Sequence, residues 1–360
     1  MKRPELWAVI LAGGRGLRFW PRSRLDRPKP LLALGTRKPL IVETVARLAG
    51  LVPASRIFIS TARSSARGFQ KALPGIPRSQ FILEPEGRDT AAGIGLAAVW
   101  LEPRMQKASA DAVLAVLPAD HVITRPAAFR TALLAAARIA AAEDVFVTIG
   151  IRPTAPSPLF GYLLPGQPYP GGKGAVRLKR FQEKPRPRAA KKLIARGGLW
   201  NAGMFIFRPA TLRQALSRHQ PALAAGLERI ARAPTPQQAK VIRTVFPRLP
   251  RISFDYAIME KAEKVAMVPG DFGWADVGSW DMLYRFLGGA GEENVARGPV
   301  AAIASRGCYV ESDKLVALVG VEDLVLVETA DAILVMRRGQ EQKLKALVAQ
   351  MEKRGLTKYL

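Results

Sequence analysis

Cysteine and histidine are almost missing: one Cys, Cys308, and two His stand among 360 residues. A lone thiol excludes an internal disulfide framework and a multi-cysteine zinc site. Cys308 sits in "RGCYV", a short apolar strand-like run, and reads as buried filler rather than as a nucleophile. Acidic residues are scarce too, with 29 Asp+Glu against 55 Lys+Arg and a formal net charge of +26. Such a balance suits nucleic acid, an anionic surface or small polyanionic substrates. The basic residues are scattered, however, and no block of about five or six like charges occurs, so charge alone encodes no nucleic-acid role. Long apolar runs are also absent. "MKRPELWAVILAGG" has the outline of a signal peptide, but its apolar core is only about eight residues and ends in a glycine loop. "LVALVGVEDLVLVETADAILVM" is broken by Glu322, Asp323, Glu328 and Asp331, short of the roughly 18 uninterrupted residues of a membrane span. The expectation is a cytoplasmic protein without a membrane partner.

What is present fits a soluble α/β chain: 49% hydrophobic and 23% charged residues, enough length for one large or two ordinary domains. Short apolar runs at Ala8–Leu11, Ile57–Ser60, Phe81–Leu83, Val113–Leu117 and Val145–Ile149 read as buried strands. Helical spacing fills Ile41–Leu48, Ala91–Leu101 and Phe129–Ala142 between them. This alternation predicts a mainly parallel sheet flanked by helices, with ligands at the C-terminal strand ends. Beyond 151 the chain is richer in Pro and Gly; Gly161–Leu164, Val176–Gln182 and Met204–Phe207 read as strands, and Ser253 as the cap of a helix through Lys261. A plausible linker near 286–300 divides a domain over 1–288 from a small β-rich one over 289–360, which ends in an amphipathic helix at Gln340–Arg354.

The glycine loop "AVILAGGRGLRFWPRSRLDRPKPLL" follows the first strand. It fails the G-x-G-x-x-G fingerprint, because the third glycine position holds Phe19, and it lacks the Gly-Lys-Ser/Thr of a P-loop. What remains is a glycine loop whose N–H groups can face phosphate, with Arg15, Arg18 and Lys29 nearby. Asp120 follows the strand Val113–Leu117 in "PADH", and Asp276 lies between two tryptophans in "GDFGWADVGSWD". Two such carboxylates suit a Mg²⁺ shared with substrate phosphates. His121, a single histidine beside Asp120, reads as structural.

"LAGGRGLRFWPRSRLDRPKPLL", "EPEGRDTAAG", "LPADHVI", "FQEKP", "WNAGMFIF" and "DFGWADVGSWDML" occur in that order. Together they resemble the sugar nucleotidyltransferases, specifically the mannose-1-phosphate guanylyltransferase (GDP-mannose pyrophosphorylase) group, over about residues 6–285. The resemblance implies a glycosyltransferase-A-like, Rossmann-like catalytic domain and a C-terminal left-handed β-helix-like segment. The implied reaction converts GTP and mannose 1-phosphate to GDP-mannose and pyrophosphate, with Mg²⁺ or another divalent cation. By motif match, Leu11, Ala12, Gly13 and Gly14 line the nucleotide site, and Arg15 and Lys29 hold the triphosphate. Glu84, Pro85, Arg88 and Thr90 lie in the base-recognition segment. Asp120, which also falls in the nucleotide site, and Asp276 hold the metal. Lys184 meets the sugar phosphate, and Glu183, Asn201, Gly203 and Gly161 meet the hexose. Arg15, Lys29, Lys184, Asp120 and Asp276 form the implied catalytic set.

The chain departs from this pattern at Asp89 and Ala92, where the group is expected to carry Asn and Pro. Asp89 could accept hydrogen bonds from guanine N1 and N2, which adenine does not supply. Longer members carry a further isomerase domain, and the expectation here is transferase activity only. The tail after 290 resembles a segment that packs between subunits, which points to a homodimer. The rival enzyme reading is another sugar-1-phosphate nucleotidyltransferase, using glucose 1-phosphate or a different NTP. A binding protein that kept the fold and lost activity is the rival outside enzymes. Arg18, Arg22, Arg24 and Arg27 have no assigned role.

Overall fold

The computed structural model describes residues 3–360 apart from 15, 173 and 290. Its centre is a nine-stranded sheet. The strands are β1 (Leu6–Leu11), β2 (Ile57–Ala62), β3 (Phe81–Glu84), β4 (Val113–Pro118), β6 (Phe146–Ile151), β7 (Tyr162–Pro168), β8 (Val176–Gln182), β9 (Leu199–Phe207) and β10 (Val265–Gly270). They lie in the order β3-β2-β1-β4-β9-β6-β10-β8-β7. A separate two-stranded ribbon pairs β5 (Val122–Ile123) with β11 (Trp274–Ala275). Within the large sheet β8 and β9 run against the other strands, which makes it mixed but mainly of one direction. β1 is apolar throughout because both its faces are covered. Leu6, Ala8 and Ile10 enter one apolar layer, and Trp7 and Val9 the opposite one.

Helices cover both faces. The first layer takes α1 (Leu40–Ala46), α2 (Ala66–Ala72) and α4 (Pro126–Ala142). The second takes α3 (Asp89–Ala108), α6 (Pro209–His219), α7 (Pro221–Ala231) and α8 (Thr235–Val245). α5 (Pro187–Ala195) crosses between β8 and β9. Two strand ends set the site. β1 and β4 are neighbours in register, and Ala119 N–H bonds Leu11 O (3.1 Å), so the glycine loop and the "PADH" turn emerge side by side. β9 enters antiparallel, which brings its beginning, Leu199–Gly203, to those same ends, with Asn201 opposite Gly150 of β6.

The structure lengthens several expected elements. The ninth strand starts at Leu199 rather than Met204, so "WNAG" belongs to the sheet. Ser253 caps no ordinary helix: Asp255–Met259 is a π-helical turn, around which Ser253 Oγ accepts from Tyr256 N–H (3.4 Å).

After α9 (Trp280–Phe286) the chain forms short strands β12 (Val295–Arg297), β13 (Val300–Ile303), β14 (Tyr309–Glu311), β15 (Val316–Val319), β16 (Leu324–Glu328) and β17 (Ile333–Arg337), then α10 (Glu341–Lys353). β12, β14 and β16 stack in parallel, as do β13 and β15, giving β-helix-like rungs. Cys308 is buried inside them with Val310 and Leu318. A further apolar cluster joins this part to the rest, drawing Phe19, Trp20 and Leu32 together with Trp280, Tyr309, Val325 and Leu344.

Phe207 is fully buried, with ring centroids 5.4 Å from Phe146 and 6.0 Å from Phe254. Phe207→Ala is expected to lower unfolding free energy by about 3–5 kcal/mol in urea titrations; a loss under about 1 kcal/mol would contradict this packing.

Candidate active site

A cavity of about 580 Å³ opens at the strand ends. Its floor follows the sheet order. On the β2–β3 side lie Ser60 and Glu84, with Gly87, Asp89 and Thr90 at the start of α3; Leu11, Gly13 and Gly14 come from the loop after β1. Asp120 and His121 stand in the middle, after β4, and Asp276 and Trp274 reach them from β11. Gly161, Glu183, Lys184, Asn201, Gly203 and Asp255 line the far side.

The centre is an ionic triad. Lys29 Nζ lies 2.8 Å from Asp120 Oδ2 and 3.1 Å from Asp276 Oδ1. The lysine side chain is only 8% exposed, while the two carboxylates are 34% and 32% exposed. Burial pulls the Lys29 ammonium down, but Asp120 and Asp276 outweigh it and the net shift is upward. Burial raises the Asp120 carboxyl, and the Lys29 charge beside it overcomes this and holds it below the usual range. Lys29 stays charged and Asp120 ionised at neutral pH, and the aspartate's exposed edge lines the cavity. His121 is buried, which holds its pKa below the ordinary value despite Asp276 and Asp120. Its Nδ1 accepts from Trp274 Nε1 (3.1 Å), so the histidine expected to lack a partner has one, and the neutral ring carries its proton on Nε2.

On the far side Asn201 is locked. Its Oδ1 accepts from Thr148 Oγ1 (2.9 Å) and Gly203 N–H (3.1 Å), and its Nδ2 donates to Asp255 Oδ1 (2.9 Å). One Nδ2 proton is left over from this set. Glu183 Oε1 pairs with Lys184 Nζ at 2.8 Å, and its backbone N–H bonds Glu260 Oε1 (2.8 Å). Burial lowers the Lys184 ammonium, but the Glu183 bond prevails and raises it. A side chain at Gly161 would collide with Glu183 Oε2, so only glycine leaves room for that carboxylate.

On the near side Ser60 Oγ donates to Glu84 Oε1 (2.9 Å); burial raises this carboxyl and the serine bond only partly offsets it. Gly14 has φ of +90°, a left-handed conformation that glycine adopts freely. Asp89 also has a positive φ, +64°, and its Oδ1 accepts from the Thr90 N–H (2.7 Å). Thr90 Oγ1 in turn accepts from Phe254 N–H (2.8 Å).

Of the residues singled out in the sequence, Leu11, Gly13, Gly14, Glu84, Thr90, Asp120, Asp276, Gly161, Glu183, Lys184, Asn201 and Gly203 line this one cavity. Lys29 stands behind the two aspartates. Ala12 is buried, its carbonyl accepting from Thr61 Oγ1. Pro85 is not among the cavity residues, and neither is Arg88, which pairs with Glu86 at 2.8 Å. Arg15 lies outside the described residues. Sequence reasoning missed Asp255, Ser60, Phe160 and Arg251, all of which line the cavity. "SFDYAIME" held the only available signal for Asp255, and on a helix that carboxylate reads as a solvated face. Phe160 and Trp274 form an aromatic wall with centroids 5.5 Å apart.

No group of three or more His, Cys, Asp or Glu that could hold a metal occurs among the described residues. Asp120 and Asp276 nevertheless converge on one cation, and two carboxylates completed by substrate phosphate oxygens are a fitting donor set for Mg²⁺.

The Nucleotidyl transferase family model matches residues 7–289, and the MannoseP isomerase/GMP-like beta-helix domain model matches 298–351. The "Xanthan biosynthesis protein XanB" of Xanthomonas campestris pv. campestris strain B100 is 36% identical, across 98% of this chain and 74% of that protein. The "Mannose-1-phosphate guanylyltransferase" of Escherichia coli K12 is 35% identical, across 99% and 75%. A crystal structure from Thermus thermophilus, described as a mannose-1-phosphate geranyltransferase, superposes with a TM-score of 0.87 at 37% identity, covering 97% of this chain and 99% of that one.

Asp255 gives the site a pH signature. Burial and then the Glu183 charge raise its carboxyl to about 7, against the opposing effects of Lys184 and Asn201. Between about pH 4 and 7 the folded chain therefore holds a proton that the unfolded chain has lost, and stability falls as pH rises through that window. Asp255→Asn is expected to remove this fall. In urea titrations at pH 5 and pH 8 the variant should lose on the order of 2 kcal/mol less than the parent between the two pH values; equal losses would refute the assignment.

Proposed function

The chain belongs to the nucleotidyl transferase family, and we propose that it transfers the guanylyl group of GTP to mannose 1-phosphate, giving GDP-mannose and pyrophosphate. The observation that carries this reading is the placement of the Lys29–Asp120–Asp276 triad midway along one cavity. A glycine loop and buried carboxylate lie on one side of it, and a rigid array of hydroxyl-binding groups on the other. The relatives' names support the choice of sugar and base.

In this reading the phosphate oxygen of mannose 1-phosphate attacks the α-phosphorus of GTP in line. The bond from that phosphorus to the β-bridging oxygen breaks, and pyrophosphate leaves. The attacking phosphate is already ionised at neutral pH, so no general base is needed. Catalysis then rests on positioning and on neutralising charge. Gly13 and Gly14 offer backbone N–H groups, Arg15 meets the triphosphate, Lys29 adds its charge from behind the two aspartates, and Lys184 meets the sugar phosphate. Asn201 gives its remaining Nδ2 proton, and Glu183 an acceptor oxygen, to hexose hydroxyls. Asp120 and Asp276 hold Mg²⁺, which when bound supplies positive charge to the phosphates. Glu84 and the free oxygen of Asp89 are acceptors for guanine N1–H and N2–H, groups that adenine lacks.

We divide the chain at 288/289 into this catalytic domain and the β-helix-like one. Exposed Ile303 and Val319, cross-strand neighbours on the latter, are where a second copy would pack. Among the described residues no helix is long and apolar enough to cross a membrane, in keeping with a cytoplasmic enzyme.

The test measures pyrophosphate release from GTP, ATP, CTP and UTP with the 1-phosphates of mannose, glucose and N-acetylglucosamine, with and without Mg²⁺. Activity should be highest with GTP, mannose 1-phosphate and Mg²⁺; none with that combination overturns the reading. Asp276→Asn should lower kcat by at least about 10²-fold while the melting temperature stays near the parent's. Asp89→Asn should narrow the preference for GTP over ATP, and an unchanged preference leaves base choice to Glu84.

A further inference from the structure

The glycine loop packs against the buried lysine of the triad. Gly16 stands against Lys29 so closely that a Cβ on Gly16 would lie 2.6 Å from Lys29 Cβ. Ser23 Oγ donates to Gly16 O (2.8 Å), and Phe19 N–H bonds the same oxygen (2.9 Å). The Phe19 ring lies under the ammonium, its centroid 5.9 Å from Lys29 Nζ. Gly16, Phe19, Ser23 and Lys29 thus pack as one contiguous group. A surface loop of this kind, with left-handed residues and several like charges, is ordinarily mobile.

Its outer side is held by residues near the other end of the sequence. Trp20 Nε1 donates to Tyr359 O (2.7 Å). The Arg24 guanidinium spans three acceptors, Tyr359 O, Thr329 Oγ1 (3.4 Å) and Asp331 Oδ1 (2.7 Å), and its side chain is only 14% exposed. Arg22 pairs with Glu311 at 3.1 Å, and Tyr309 OH fixes that buried carboxylate with a 2.7 Å bond. Beneath these polar bonds Phe19 and Trp20 share one apolar cluster with Tyr309, Val325 and Leu344.

We propose that the β-helix-like strands and the tail through Tyr359 position the glycine loop, and through it Lys29, for the triphosphate. Arg24, Trp20 and Arg22 are positioning residues, acting through Lys29 rather than on substrate. Burial makes their bonds effective: charge-assisted contacts at partly buried sites are stronger than exposed pairs. A displacement of about 1 Å at a reacting centre can cost about 10²-fold in rate, so small slack in this brace reaches the chemistry. The effect should be one-sided, because the hexose end of the cavity is anchored independently by Thr148, Asp255 and Glu260. The proposal rests on the transferase reading for its kinetic arm alone.

The full-length chain is compared with Arg24→Ala, Arg24→Lys and Trp20→Phe. Arg306→Ala serves as the control, since Arg306 pairs with Glu292 and Glu322 away from the loop. In Arg24→Ala the KM for GTP should rise about fivefold or more and kcat fall about tenfold, with the KM for mannose 1-phosphate within about twofold. Arg24→Lys, which keeps the charge toward Asp331, should recover part of the loss, and Trp20→Phe should show a smaller version of it. Arg306→Ala should leave the GTP KM unchanged. Amide hydrogen exchange over residues 13–29, measured without substrates, should speed up about tenfold in Arg24→Ala and Trp20→Phe but not in the control. Unchanged loop exchange in both variants overturns the brace, as does an equal rise in both KM values. A parent inactive with GTP and mannose 1-phosphate defeats the transferase reading alone, because the exchange result still decides the brace.

Discussion

Two carboxylates aimed at the same point repel each other, and the rest of the site is arranged around the cation that allows it. Asp120 arrives from the end of β4 and Asp276 from β11, and Lys29 meets both within 3.1 Å. Buried alone, any of the three would be costly to charge; together, with the carboxylates open to the cavity, each lies against an opposite partner. That centre demands a fixed lysine, and Lys29 is fixed because the prolines on either side and Gly16 against its Cβ leave it little freedom. The glycine loop therefore has a structural duty of its own. It is the wall behind the triad.

A related device recurs at both ends of the cavity. Glu84 and Glu183 are each backed by a glycine. A Cβ on Gly93 would lie 2.9 Å from Glu84 Oε1, and one on Gly161 would overlap Glu183 Oε2. Each glycine lets a carboxylate settle against backbone instead of swinging into solvent. Burial follows, and with it the upward push on Glu84. The Asn201 amide is treated in the same manner by hydrogen bonds, with three of its sites already occupied. Rigid polar groups of this kind favour one ligand geometry over near relatives.

How much of this the sequence announced depends on whether a residue acts through its own strand end or through a distant partner. Asp120 was visible because it follows a strand, Asp276 because it lies in a tight loop between two tryptophans, and Asn201 through the family resemblance of "WNAG" alone. The α/β layering was visible because buried parallel strands are apolar along their whole length. Asp255 was hidden: its importance arises from a π-helical turn folded against β9, and nothing in "SFDYAIME" marks that contact. The tie between Trp274 and His121 joins residues from two short strands that pair across the chain, so neither looked partnered in one dimension. Arg22 and Arg24 looked like surplus charge for a comparable reason, their acceptors lying near the other end of the chain.

Those arginines change what the positive charge means. Among the basic residues of the loop, Lys29 faces the two metal-binding candidates, while Arg22 and Arg24 face Glu311, Asp331 and a backbone carbonyl. Every one of these cations is paired, but only the partners of Lys29 line the cavity. Pairing the outer arginines with the β-helix-like part ties the loop to it, while Lys29 holds the two cavity carboxylates. Cations of like sign on one short loop thus do different jobs, one set holding the loop and the other the two carboxylates of the cavity. Their separation is made by the fold, through the buried carboxylate Glu311 on one side of the loop and the open pair Asp120 and Asp276 on the other.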